Sequence, residues 1–421
     1  MFEKGRFGPF FPCAEVSMSS LPSRGEFIAI VAMLFASIAF SIDAMLPAFP
    51  ELTAQFSPDD PNRVPLIVTI FMLGMGLGTF FTGPLSDAFG RKTVVLGTAA
   101  LYILSALGAL LANSLEMLLV ARFMQGLGAA GPRVVALAIV RDLYAGRAMA
   151  RIMSFVMVIF TIVPALAPTL GAGLIWVGGW HAVFWAFAIF ATLSSGWLAL
   201  RLPETLAPED RRPFRFGALS EALREMVSHQ VVRQSMIAQM LCFGALVVMI
   251  SNIQPIYDAF FDRAGSFPLW FGGIAIISAS ASLLNAALVM KVGMRKMVTI
   301  VLTVEVILSA AMTLVLLGGV EGTALFACFV LWQTSIFFMV GLTMGNLNAL
   351  GMEPMGHIAG LAASVMGALG TVGAVILAVP VGLAFDGTPL PVVAGILVFL
   401  IGALWIMSRM ASREEMQQPA E

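Results

Sequence analysis

The chain is poor in charge. Of its 421 residues only 11% are Asp, Glu, Lys or Arg, and 59% are hydrophobic. A soluble domain averages roughly 25% charged residues. So few charges cannot cover a water-facing surface, and the composition reads as a polytopic membrane protein. The net charge of −1 supplies no field to steer nucleic acid. Cys13, Cys242 and Cys328 are too few and too scattered for a disulfide framework or a zinc site. The surroundings of Cys13, FFPCAE, lack the small residues of a lipid-attachment signal. The histidines are His181, His229 and His357, and none lies mid-span, which argues against haem between helices. The nearest approach to a phosphate loop, GPLSDAFGRKT, has six residues between its glycines and places Arg91 before Lys92, so nucleotide use is not expected. No nucleophile elbow or HExxH pair is present. The expectation is therefore no enzyme, no metal and no cofactor. The drive left is an ion gradient, in which one charge crossing 100 mV supplies about 2.3 kcal/mol.

Long apolar runs, by contrast, are plentiful. A helix needs about 20 apolar residues to cross a bilayer. Spans are predicted near 27–49, 64–86, 93–113, 116–140, 153–176, 181–201, 233–256, 268–290, 297–318, 323–348, 358–382 and 390–409. A polar stretch, 202–232, divides them into halves of six spans, 26–201 and 233–410. Tails of 1–25 and 411–421 complete the chain. Residues 1–25 hold Lys4, Arg6 and Arg24 around a broken apolar run, unlike a cleavable signal peptide. They read as a cytoplasmic tail, with Met18 as an alternative start. With both termini inside, the cytoplasmic loops carry Arg91, Lys92, Arg141, Arg147, Arg151, Arg201, Arg211, Arg212, Lys291, Arg295 and Lys296, among others. The external loops carry only Arg63 and Arg263. This bias sets the topology, in the cell's inner membrane. The halves also echo each other. Gly90-Arg91-Lys92 is matched by Met294-Arg295-Lys296, and Gly146-Arg147 with Ser154 by Gly356-His357 with Ser364. That suggests a duplicated six-helix unit.

Four segments carry a resemblance over nearly the whole length. GPLSDAFGRK (83–92) is similar to the loop between spans two and three of the major facilitator superfamily. Gly83, Asp87, Gly90, Arg91 and Lys92 stand in matching places, and Ala88 stands where a base is common. RFMQGLGAAG (122–131) resembles the fourth-span motif of its proton-coupled members. PALAPTLGAG (164–173) resembles the fifth-span motif of antiporters. SIDAMLPAFP (41–50) is similar to the first span of bicyclomycin- and chloramphenicol-type drug–proton antiporters. Pro132-Arg133 departs from the pattern. The resemblance implies an all-α fold of twelve transmembrane helices in two six-helix bundles. It also implies a monomeric transporter that exports small, largely apolar compounds in exchange for protons. A same-fold transporter of an anionic metabolite is the alternative, and a membrane sensor the more distant one.

Several residues are candidates for the work. An acid within a span is costly and usually faces a cavity or a partner. Asp43 lies about 9 Å below the outer end of span one, and Arg122 at the same depth in span four. The two are placed to pair, either as the proton-coupling site or as a static ion pair. Arg133 follows Arg122 by eleven residues, on the same helix side and about 16 Å away. It suits an anionic group on a substrate, or else a carbonyl or an acid near the cytoplasmic face. Pro164 and Pro168 remove backbone donors one turn apart, while Gly171 and Gly173 let a neighbouring helix approach. By resemblance this segment seals the external pathway. Asn252, Gln254 and Tyr257 in span seven, with Gln333 and Asn346 in span ten, interrupt apolar runs. They are pocket or gate candidates, with inter-helix hydrogen bonding as the other reading. Glu305 in span nine is read as structural or snorkelling. The 27 methionines suit an adaptable pocket, although most read as filler. Asp87 is assigned a conformational role, holding the inner gate against the opposite bundle.

Overall fold

The computed structural model describes residues 22–415, which are helical almost throughout. The N-terminal half contains α1 (Arg24–Asp43), the short α2 (Phe49–Phe56), α3 (Leu66–Phe89), α4 (Arg91–Ala109), α5 (Leu115–Leu143) and α6 (Gly146–Arg201). After α7 (Phe216–Ser228) come α8 (Gln230–Pro255), α9 (Phe267–Val292), α10 (Met294–Leu317), α11 (Gly322–Met352), α12 (Ala359–Leu383) and α13 (Leu390–Glu415). α6 is two crossings in one. Gly178 and Gly179 leave helical geometry, Gly179 at φ 64°, and the chain reverses there. Counting α6 twice gives twelve crossings. α1, α3, α4, α5 and the two arms of α6 form one half, and α8 to α13 form the other.

The sequence explains where helices stop. Pro47 stands four residues after Asp43. It has no N–H for the Asp43 carbonyl, and its ring crowds that group. α1 therefore ends at Asp43, a 3-10 turn Leu46–Ala48 follows, and α2 resumes with Pro50 in its first turn. Gly90 separates α3 from α4 at φ 99°, ψ 152°, a region open essentially to glycine alone. At the α6 reversal, the Trp180 amide donates to Glu51 (2.9 Å) and its indole to Gln55 (2.7 Å). A carboxylate at this new helix start satisfies an orphan donor.

Within the first half α5 packs on α3 and α4, and α1 on α6. Within the second, α8 packs on α11, α12 and α13. The halves meet chiefly along α3–α12 and α6–α9. The Gly272 face of α9 lies against the Ala165 carbonyl of α6, and Gly83 of α3 against the Ser364 hydroxyl of α12. At the other end of α3, Asn62 donates to the Leu383 (3.3 Å) and Phe385 (2.5 Å) carbonyls where α12 ends. Residues 202–232 hold more structure than a polar linker. α7 buries Leu219, Ala222 and Met226 against Met355, Val365 and Met366 of the second half. Their spacing is a helical stripe. Large apolar side chains such as Leu104, Trp176, Leu200, Met290 and Leu331 remain exposed, as a lipid-facing surface requires. Cys242 and Cys328 are free thiols; Cys13 and the tails before residue 22 lie outside the described residues.

Candidate functional site

The centre of the N-terminal half is built around the break in α1. Arg122 of α5 is fully buried. Its Nη2 donates to the Ser41 carbonyl (3.0 Å), its Nε to the Ile67 carbonyl (3.1 Å) and its Nη1 to Gln125 Oε1 (2.7 Å). The Phe71 ring lies 4.3 Å from the guanidinium. Ser41 belongs to the last turn of α1, where carbonyls lack the usual helical donors. The Ser41 hydroxyl donates to the Ser37 carbonyl (2.6 Å) and is hydrogen-bonded to the Tyr102 hydroxyl. α1, α3, α4 and α5 are thus joined through one arginine and its neighbours.

Asp43 is the final residue of α1 and only 4% exposed. Arg122 does reach the depth of Asp43, since it bonds the carbonyl two residues earlier. The expected ion pair, however, is not formed. Among the described residues no hydrogen bond or salt bridge engages the Asp43 carboxyl. The reason is geometric: the guanidinium fork is already filled by two carbonyls and Gln125. The helix break also positions Gly171 of α6. A Cβ there would run into the Ala44 backbone, so this glycine permits close approach beside Asp43. Gly173 is different, because it is exposed with nothing near it, so it does not serve the close approach expected of it. Pro164 and Pro168 both lie within the first arm of α6, Pro168 buried.

Arg133 is solvent-accessible and without a partner among the described residues. It lies on the side of α5 opposite the outward Met117, Val120 and Met124. One helix face therefore carries a sealed arginine and an accessible one.

In the C-terminal half Tyr257, Gln333 and Asn346 bond between helices, whereas Asn252 bonds within its own. Tyr257 lies in a π-helical turn, Ile256–Phe260, just past Pro255. Its hydroxyl donates to Gln333 Oε1 (3.0 Å), amid Phe261, Phe267, Phe326 and Phe329. Asn346 donates to Asn285 Oδ1 (2.7 Å) and to the Leu342 carbonyl (2.8 Å). Asn252 donates back to the Val248 carbonyl (2.8 Å), and its Oδ1 has no partner among the described residues. Gln254 is buried. Glu305 is not a snorkelling residue. It is 3% exposed and accepts from the Ser335 hydroxyl (2.9 Å).

The 83–92 turn is a charge network. Arg91 bonds Asp142 (3.0 Å), the Ser86 hydroxyl (2.8 Å) and Asp87. Glu204 accepts from the Arg91 (2.8 Å) and Lys92 (3.1 Å) amides at the start of α4, where the helix dipole favours a carboxylate. Lys92 Nζ donates to the Ala199 (2.6 Å) and Leu202 (2.9 Å) carbonyls. The Asp87 carboxylate is therefore held by its own half. The opposite-bundle contact expected of it falls instead to Gly83, four residues earlier. Asp142, Glu204, Tyr102 and Gln125 were not among the sequence candidates. Gln125 had a readable signal, three residues after Arg122 and so on the same helix face. The other three act across long sequence separations.

The family model described as Major Facilitator Superfamily matches residues 29–378. The chain is 28% identical over 401 residues to a bicyclomycin resistance protein homolog of Haemophilus influenzae, covering 94% of this chain and 97% of that one. It is 28% identical over 330 residues to the multidrug resistance protein MdtL of Escherichia coli O157:H7, covering 77% and 80%. In structure it is similar to a D-xylose–proton symporter, with a TM-score of 0.72 at 15% identity over 90% of this chain and 97% of that one. The twelve-helix fold and the extent of the family match lead to one assignment: this chain belongs to the major facilitator superfamily of membrane transporters.

Proposed function

We propose that this chain is a proton-coupled exporter of small, largely apolar compounds, working as a monomer by alternating access. The observation that carries this reading is Asp43, a buried acid without a counter-ion at a helix break, beside an arginine bonded to the same last turn. Proton uptake and release there change the local charge by one unit. A lone charge in so dry a site is costly, so each proton step pushes on the α1 break and on Gly171 of α6 packed against it. Substrate that rearranges the Arg122 bonds alters the same balance. The resistance-protein names of two relatives support the drug class. The Asn62 bonds tie the halves at one end, while Arg133 and Asn348 are accessible nearer the other. The mouth of the cavity is put at the basic end, beside the contact that Gly83 and Ser364 keep between α3 and α12 there. By the charge bias that end is cytoplasmic, with both termini on that side of the inner membrane. The two bundles, 26–201 and 233–410, rock about the cavity, with 202–232 as the connecting segment.

Asp43→Asn is expected to abolish proton-coupled export while folded protein still accumulates. The check is reconstitution in vesicles with an imposed pH gradient. Full export against a gradient by this variant would refute the role. A second reading, transport of an anionic metabolite, rests on the unpartnered Arg133. Arg133→Ala should then change the preference between anionic and neutral compounds in the same vesicles; an unchanged preference removes that reading.

A further inference from the structure

The basic end of the N-terminal half contains a cavity of about 260 Å³ where three segments converge. Arg24 and Ile28 come from the first turns of α1, and Tyr144 from the exit of α5. Arg151, Ile152 and Phe155 come from the opening turns of α6. Neither Arg24 nor Arg151 has a hydrogen bond or ion pair among the described residues. The acids that stand nearest in the chain are committed elsewhere. Glu26 is held by Arg201 (2.6 and 3.0 Å) and by the Trp197 indole (3.1 Å), and Asp142 by Arg91 and Thr205. α6 has no acid in its first turn. Two helix starts add their own positive ends to the same place. An arginine opening a helix, as Arg24 does, works against that dipole, so helix stability does not account for it.

We propose that this cavity binds the headgroup of an anionic phospholipid. The wall is almost wholly apolar and Arg24 and Arg151 are exposed beside it. Their charge fits a phosphodiester at the mouth, and basic pockets between helices at the membrane surface are suited to such headgroups. The walls distinguish a lipid from a free anion. Ile28, Ile152 and Phe155 are apolar, and Phe155 is 49% exposed. From Phe155 an exposed apolar track continues along α6 through Val158 and Ile162. Their three- and four-residue spacing keeps them on one helix face. A soluble phosphate gains nothing from that track, whereas an acyl chain follows it from the headgroup site into the bilayer. The Tyr144 ring, packed on Phe27 at 5.1 Å, adds to the apolar wall.

The test is native mass spectrometry of the full-length, delipidated protein in detergent, titrated with phosphatidylglycerol or phosphatidylcholine. Wild type should retain phosphatidylglycerol preferentially. Arg24→Gln with Arg151→Gln should lower that affinity roughly thirtyfold, the contribution of two bases at a charged surface. Arg212→Gln with Arg215→Gln, on the connecting segment at the same end, should leave it nearly unchanged. Where the double variant is not recovered folded, Arg151→Glu alone should give the same loss. Two outcomes overturn the proposal. One is a charge-removed variant that keeps the phosphatidylglycerol preference. The other is glycerol phosphate displacing the lipid at comparable concentration, which would make the site one for a soluble anion.

Discussion

The turn between α3 and α4 and the turn between α9 and α10 share a backbone but not a chemistry. Gly90 adopts φ 99°, ψ 152° and Gly293 adopts φ 85°, ψ 147°, each as the N-cap of the helix that follows. Sequence matching aligns Arg91-Lys92 with Arg295-Lys296. The backbone corrects this by one residue, so that Gly293 answers Gly90 and Met294 answers Arg91. Shared bases in the sequence are thus not shared positions in space. A Cβ at Gly90 would meet the Glu204 carboxylate, whereas one at Gly293 meets nothing within 4 Å. What the two halves hold in common is a glycine turn. The network of Asp87, Asp142 and Glu204 belongs to the first half only.

Substitutions can break or sharpen that contrast. The largest effect is expected from Arg91→Ala. It leaves Asp142, 20% exposed, and the buried Ser86 hydroxyl without their shared base, and each buried partner left unpaired costs about 1–3 kcal/mol. Met294→Ala, at the matching place, should cost far less. Thermal melts in detergent compare them, and equal losses would end the distinction. Next is Gly90→Ala against Gly293→Ala. Both carry a backbone strain of about 1–3 kcal/mol, and only the first also displaces Glu204. The melting temperature should fall further for Gly90→Ala. The smallest effect on stability is Asp87→Asn. This carboxylate is 47% exposed, and such pairs contribute about 0–1 kcal/mol. The variant should melt like wild type, bind drug with nearly unchanged affinity and switch more slowly. That is read from equilibrium binding alongside transport rate in vesicles. Lost affinity with normal switching would reverse the conformational assignment.

The contrast also explains what was legible beforehand. Span positions followed from apolar run length, because a bilayer demands about 20 apolar residues whatever their neighbours. The end of α1 was not read: the predicted span 27–49 runs through it, although Pro47 acts on a carbonyl only four residues away. α7 was readable in principle from Leu219, Ala222 and Met226, but its polar surroundings masked the stripe. The pairing of Asp43 with Arg122 was a depth argument. Depth was right and direction was not, because Ser41, Ile67 and Gln125 supply acceptors that no spacing rule ranks against a carboxylate. The second-half candidates Tyr257, Gln333 and Asn346 were legible as polar interruptions, but their partners were not. Asn285 stands 61 residues from Asn346.

By itself, then, the sequence determined that this protein crosses a membrane many times, that basic turns cluster at one end, and that an acid lies in the first span four residues before a proline. These are consequences of composition and of residue order. Only the tertiary structure decided which groups satisfy which. It gave Arg122 to carbonyls instead of Asp43, Asp87 to its own half, and Gly171 to the α1 break. Hydrogen-bond choice in a dry interior depends on directions between helices, and those directions are set by packing that no local run of residues contains.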